Sequence, residues 1–239
     1  MAGRSMLGRV RSAFGKDPDA VFAKVKGVIH VGANSGQEIE LYQRHGLSVL
    51  WVEPNPVVFE KLQANLAGVL KQSAIKALIA DTDNVEYPFH LANNDGESSS
   101  ILDLNLHREV WPEVQYERTI QLISKTLPTL LRENNVDLKE YDMLVMDTQG
   151  AELLVLKGAA PILADFTYIK AEVPDFESYK DCCQVKDLAT FLGPLGFREY
   201  SRHRFAGRKG AGNYYDIVYK KDPPDQGRKA KIFSSRSNS

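Results

Sequence analysis

The stretch Gly27-Val28-Ile29-His30-Val31-Gly32-Ala33-Asn34-Ser35-Gly36 decides the fold class. Its first half is a short apolar run, the pattern of a strand buried on both faces of a parallel sheet. Its second half is a glycine-bounded turn. Glycine there permits unusual backbone angles and lets the main chain approach a ligand closely. Ser35 to His45 follows with helical spacing of Ile39, Leu41 and Tyr42. The turn spacing, G-x-x-x-G, differs from the G-x-G-x-x-G of pyrophosphate binders. The reading therefore predicts a strand-turn-helix unit whose amides could receive a carboxylate at the helix start.

Outward from this unit the chain continues to alternate. Ser48 to Glu53 is the second strand, barred from continuing by Pro54 and Pro56, and Pro56 opens an amphipathic helix carrying Phe59, Leu62 and Leu66. Ala74 to Ala80 and Glu86 to Leu91 read as strands, as does Thr119 to Ile123, and Thr126 caps a helix through Arg132. Tyr141 to Asp147 is a strand ending in a carboxylate, Ala151 to Leu163 an apolar helix, and Tyr168 to Val173 a strand containing Glu172. Val185 to Leu195 is helical and stopped by Gly196. Glu199 to Phe205 and Tyr215 to Lys220 are joined by a glycine-rich turn, so they must be antiparallel neighbours. The predicted fold is α/β: a Rossmann-like doubly wound sheet, mostly parallel, with an antiparallel C-terminal hairpin strand. A dinucleotide-binding dehydrogenase continues with another crossover helix, whereas a closing hairpin is the habit of adenosylmethionine-dependent methyltransferases.

Bulk composition sets the outer limits. The chain has 239 residues and 43% hydrophobic content, enough for one substantial core. Thirty basic residues against thirty-one acidic ones give a net charge of -1, which argues against nucleic acid as partner. No window approaches the roughly 20 apolar residues of a membrane span. Cys182 and Cys183 are adjacent and have nothing else to pair with, which fits a reduced, cytoplasmic setting. Residues 1–22 read as a basic N-terminal segment able to form a short amphipathic helix. Residues 23–221 read as the folded domain and 222–239 as a disordered tail rich in Pro, Ser, Lys and Arg. The oligomeric state is not legible.

Four carboxylates mark the expected site. Glu53 ends the second strand twenty-one positions after Gly32, where an acidic residue grips a ribose diol. Asp81 ends the third strand and could accept from an adenine amine or cap the following turn. Asp147 follows Met143-Leu144-Val145-Met146 at the boundary between core and cleft, where burial would raise its pKa. Glu172 lies on an apolar strand, as a site residue or as partner to a buried base such as Lys170 or Arg44.

The segments His30 to Gly36, Glu53-Pro54-Asn55-Pro56 and Asp147-Thr148-Gln149-Gly150-Ala151-Glu152 occur in that order, and Leu153 to Gly158 runs on as Leu-Leu-Val-Leu-Lys-Gly. This set, with the serine cluster Ser98 to Ser100 and with Glu172, resembles the FkbM family of methyltransferases over roughly residues 27–220. The resemblance implies S-adenosylmethionine as methyl donor and O-methylation of a sugar, glycan or natural-product hydroxyl. With the positional reading above, His30, Gly32, Ala33, Asn34, Gly36, Glu53, Pro54 and Asp81 are the expected cofactor residues, and Asp147 and Glu172 the expected catalytic ones. Two departures stand out: His30 stands where the family usually has Asp, and Thr148-Gln149 where it favours Val-Glu.

A hydroxyl needs a proton acceptor as it attacks, and Asp147 is the expected base. Asp147, Glu152 and Glu172 could together bind Mg²⁺ instead. The segment Asn93 to Arg118 is expected to cover the acceptor through Ser99, Ser100 and Trp111, helped by Ser98, His107 and Tyr116. Arg202, His203, Arg204, Arg208 and Lys209 form a basic run that could meet an anionic group or simply be solvated. The alternatives are a non-catalytic nucleoside-binding module and a nicotinamide-dependent oxidoreductase.

Overall fold

A computed structural model describes residues 18–223. The expected N-terminal helix and most of the expected C-terminal tail lie outside the described residues. The domain begins before the expected boundary at residue 23. Pro18–Lys24 is a 3-10 helix whose Val21 and Phe22 are buried, with the Phe22 ring 5.0 Å from that of Tyr42.

The main sheet contains β1 (Gly27–Val31), β2 (Ser48–Glu53), β3 (Gln72–Lys76), β7 (Met143–Met146), β8 (Tyr168–Pro174), β9 (Phe197–Arg208) and β10 (Gly212–Lys221). Their order is β3-β2-β1-β7-β8-β10-β9. The first five run parallel, and β10 is antiparallel to both β8 and β9. This is the doubly wound sheet with a reversed C-terminal hairpin strand that the alternation predicts. Strand order reverses between β1 and β7, and ligands of open α/β sheets bind at that switch point, beyond the carboxyl ends of the strands.

Apolar residues cover both faces. Ile29, Val31, Leu144 and Met146 face one core, closed by α4 (Leu127–Glu133), α5 (Glu152–Ala159) and α6 (Val185–Leu192). Val28, Val49, Trp51 and Met143 face the other, closed by the first 3-10 helix, α1 (Ile39–Arg44) and α2 (Pro56–Asn65). Gly158 lets α5 sit close: a Cβ there would stand 2.2 Å from the Ala80 carbonyl oxygen.

Several elements differ from expectation for local reasons. The first helix starts at Ile39, not Ser35, because Asn34 and Gly36 adopt φ of 44° and 84°, outside the helical region. The expected strand Ala74 to Ala80 splits. After Lys76 the chain leaves the main sheet, and Leu78–Ile79 (β4) joins β5 (Glu86–Ala92) and β6 (Tyr116–Lys125) in a second sheet of order β4-β6-β5. The helix from Ala151 stops at Ala159 and tightens to a 3-10 turn, Ala160–Asp165, where Pro161 supplies no N–H. Likewise α6 ends at Leu192 and a 3-10 turn, Gly193–Leu195, carries Pro194. A four-residue helix, α3 (His107–Val110), lies in the cover segment between β5 and β6.

Candidate active site

A cavity of about 2270 Å³ opens at the switch point. It is lined on one side by His30, Gly32, Ala33, Asn34, Glu53 and Pro54, and on the other by Asp147, Lys170, Glu172 and Asp216. Ser98, Ser99 and Trp111 of the cover also line it. The structure thus gathers most of the expected site residues around one space. Gly36, Asp81, Ser100 and Glu152 are not among the lining residues. Gly36 turns toward Ile39 and Leu62. Asp81 accepts from the Tyr87 hydroxyl at 3.5 Å, while Ala77, Leu78 and Ile79 form the cavity wall at that edge.

Glu53 is 6% exposed, and backbone holds it at both oxygens: Asn55 N–H donates to Oε1 and Asn34 N–H to Oε2, each at 2.8 Å. Burial raises its pKa to about 7, against the restraint of those two amides. Each oxygen keeps a free lone pair, so the carboxylate can still accept from a vicinal diol. Asn55 also caps α2, its side chain accepting from Val57 and Val58 N–H. The chain reversal at the end of β2 and the aim of Glu53 are therefore one structure.

The glycine turn behaves differently from expectation. Gly32 and Ala33 N–H both donate to the Val52 carbonyl, Asn34 N–H to Glu53, Ser35 N–H to the Asn34 side chain and Gly36 N–H to the Ala33 carbonyl. These amides bond within the protein, and α1 starts three residues later, so the turn is braced by its own backbone. Gly32 is required because the neighbouring strand end lies against it. A Cβ there would stand 1.8 Å from the Asp147 carbonyl oxygen, at a φ of +81°.

His30 is buried, stacked on Trp51 with ring centroids 5.0 Å apart, and shares a hydrogen bond of 3.1 Å with the Tyr42 hydroxyl. Burial and the nearby Lys170 ammonium lower its pKa to about 3, so it is a neutral imidazole. His30 is thus one layer of an aromatic stack with Tyr42 and Trp51.

On the β7–β8 side, acids crowd together. Asp147 follows β7 directly, and Glu172 and Asp216 are cross-strand partners on β8 and β10. Burial first, then the neighbouring Glu152, raise the Asp147 pKa to about 8, although Gln149 Nε2 donates to Oδ1 at 2.6 Å and lowers it. Burial and the neighbouring Asp147 hold the Glu172 carboxyl well above the usual range. Lys170, considered as a partner for Glu172, is paired instead with Asp216 at 2.9 Å. Burial alone would lower the Lys170 pKa, but Asp216 and the other acids around it raise it on balance. The nearness of Lys170 and Asp216 follows from the register of β8 on β10, which no local pattern reveals.

Glu152, in the first turn of α5, is 0% exposed. Its Oε1 accepts from Thr148 N–H, the Thr148 hydroxyl and Gly150 N–H, while Oε2 has no hydrogen-bond partner. The alternative Mg²⁺ site finds no support. Among the described residues, no group of three or more His, Cys, Asp or Glu side chains is placed to hold a metal ion.

The cover is built by its own polar side chains. Ser98 Oγ bonds Asn94 Nδ2 at 2.9 Å and His107 Nε2 at 3.2 Å, and His107 Nδ1 meets the Tyr214 hydroxyl at 2.7 Å. Ser99 Oγ accepts from Ala92 N–H, and Ser100 Oγ donates to the Gln149 carbonyl. The Tyr116 hydroxyl donates to the Leu102 carbonyl. Trp111 lies 4.8 Å from the rings of both His107 and Tyr214, and it lines the cavity with Phe205, which the sequence reading missed. In the basic run, Arg202 pairs with Glu199, Arg204 donates to Asn213 and Arg208 pairs with Glu109. Cys182 and Cys183 are buried free thiols. Among the described residues, no helix is long and apolar enough to cross a membrane.

Residues 30–199 match the family model described as the methyltransferase FkbM domain. The chain is 26% identical over 173 residues to the 2-O-methyltransferase NoeI of Sinorhizobium fredii, covering 69% of this chain and 70% of that protein. Among solved structures, it aligns with an uncharacterised protein of Listeria monocytogenes serotype 4b at 11% identity and a TM-score of 0.49. That alignment covers 87% of this chain and 68% of that one. It also aligns with the precorrin-6y C5,15-methyltransferase of Geobacter metallireducens GS-15 at 12% identity and a TM-score of 0.46, covering 85% and 87% of the two chains.

Proposed function

Since the chain belongs to the FkbM methyltransferase family, we propose that it transfers the methyl group of S-adenosylmethionine to a hydroxyl of a sugar, glycan or small natural product. One observation carries the reading. A carboxylate preset for a diol, Glu53, and a crowded pair of acids, Asp147 and Glu172, face the same cavity across the switch point. The relative that acts as a 2-O-methyltransferase supports oxygen as the accepting atom.

The residues present fit the cofactor. Glu53 keeps a lone pair on each oxygen for the ribose hydroxyls, with Asn34 and Pro54 beside it. Carboxylates outnumber Lys170 at the centre of the cavity, which suits a ligand carrying positive charge. When bound, S-adenosylmethionine supplies an electrophilic methyl group on a sulfonium, open to in-line attack.

The chain's own work is then positioning and proton removal. Asp147 takes the proton of the acceptor hydroxyl. A base is most useful when its pKa lies near the working pH, and a cation in the same cavity favours its ionised form. Glu172, whose carboxyl is likewise held well above the usual range by burial and by Asp147, donates a hydrogen bond to the acceptor and orients it. Trp111 and Phe205 supply aromatic faces for the ring that carries the hydroxyl, and Ser99 borders it.

Methyl-labelled S-adenosylmethionine, incubated with the protein and a panel of saccharides and hydroxylated natural products, tests this. Transfer by the wild type, lost in Asp147→Asn, is the expected result. Failure to bind S-adenosylhomocysteine would sink the reading, and binding with no transfer to any member would make the chain a nucleoside-binding module.

A further inference from the structure

We propose that Gln149 and Tyr179 act as a positioning pair that locks the Asp147 carboxylate in the role of hydrogen-bond acceptor, with one oxygen committed to the protein. The proposal rests on Asp147 being the base. It starts from a backbone outlier: Gln149 has φ of +52°, a left-handed conformation uncommon for a side chain of its size. Such strain persists only where the surroundings over-determine it. Here the Ser100 hydroxyl donates to the Gln149 carbonyl at 2.8 Å, and the Cys183 N–H holds the next carbonyl, that of Gly150, at 2.8 Å. The side chain is thereby folded back on the residue two positions earlier.

An amide has a donor end and an acceptor end, so its two partners must be of opposite kind. Gln149 Nε2 donates to Asp147 Oδ1 at 2.6 Å, and the Tyr179 hydroxyl donates to Gln149 Oε1 at 2.7 Å. Tyr179 is 1% exposed, and its ring lies 4.9 Å from that of His107. Burial pushes its phenol pKa well up, so the hydroxyl keeps its proton and can serve as donor. A fixed donor at one end of the amide aims the other end's N–H at Asp147. Among the described residues, Asp147 Oδ2 receives no such bond, which leaves it to the acceptor hydroxyl.

Glu172 and Lys170 from β8, Glu152 from α5, Asp216 from β10 and Glu38 ahead of α1 also surround Asp147. They stay in place in every variant below, so differences between variants isolate the pair. The experiment is a carbon-13 carboxyl titration of the full chain without ligand, with the Asp147 signal assigned by its loss in Asp147→Asn.

Gln149→Met, which has no donor, should bind the Asp147 proton about tenfold more tightly, one pKa step. Gln149→Asn tolerates the left-handed backbone but falls one methylene short, and should do the same; it also serves if the Met variant fails to fold. Tyr179→Phe should tighten the proton about threefold, because the unpinned amide can turn its oxygen toward a protonated Asp147. An unchanged titration in both Gln149 variants overturns the proposal, and so does looser proton binding in Tyr179→Phe, which would mean that the amide inverts freely. Labelled-methyl transfer by Asp147→Asn is read separately. Activity there removes the base assignment, while the titrations still decide the pairing.

Discussion

At the end of β2, Glu53 has a backbone amide on each oxygen and, among the described residues, no acid that raises its pKa; at the ends of β7 and β8, Asp147 and Glu172 stand close to each other and to Glu152. Burial raises all of these pKa values, so burial does not separate the two edges. Neighbours do. Two amides pull Glu53 back to about 7, whereas added negative charge carries Asp147 to about 8 and Glu172 well up. The first edge is organised to hold an anion ready for donors, as a binding site should be. The second keeps protons close to release, as a site for proton transfer should. On the function proposed above, the cofactor and the acceptor hydroxyl take opposite sides of one cavity.

The largest test of this division is Asp147→Asn. Transfer should fall by roughly 10²- to 10⁴-fold, the usual worth of a general base, with cofactor affinity changed by less than about threefold. A variant that loses binding instead would erase the distinction. Next comes Glu53→Ala, expected to weaken S-adenosylhomocysteine about 10- to 100-fold by calorimetry, the cost of two hydrogen bonds. At saturating cofactor its turnover should stay near that of the wild type.

The pH dependence of stability comes third. A carboxyl with a raised folded pKa contributes stability that is complete below its unfolded value, near 4, and that is lost as pH rises through the folded value. The melting temperature of the unliganded protein should therefore fall as pH rises from about 4 through about 8. Asp147→Asn should flatten that fall more than Glu53→Gln does, and equal flattening would contradict the ordering of the two edges. The smallest effect belongs to the cover. Trp111→Ala should raise the acceptor KM about three- to tenfold, the worth of an aromatic contact, and leave cofactor binding unchanged.

What the sequence reveals here is what ends a hydrophobic run. Gly32 and Asp147 follow a buried strand and Glu53 ends one, so each stands at the carboxyl edge of the sheet. What it hides depends on partners distant in the chain. Residues 74–80 show the same apolar character whichever sheet they join, so the departure of Leu78–Ile79 leaves no local mark. Asp81, expected to meet an adenine amine or to cap the following turn, lies outside the cavity lining that Ala77, Leu78 and Ile79 form. The Lys170–Asp216 pair depends on strand register, and the burial of Glu152 depends on its bonds to Thr148 and Gly150, which the spacing alone does not show. Ser98, Ser99 and Ser100 announce a polar cover, but not that their hydroxyls are engaged in building it.

Calorimetric titration with S-adenosylhomocysteine and with its 2′-deoxy analogue, on the wild type and on Glu53→Ala, examines the shared cavity most directly. The wild type should bind the deoxy compound about tenfold more weakly, and Glu53→Ala should bind both alike, since the lost hydroxyl and the lost carboxylate are partners. Equal affinity of the wild type for the two compounds would show that Glu53 does not hold the ribose, and the arrangement of cofactor and base described above would then be wrong.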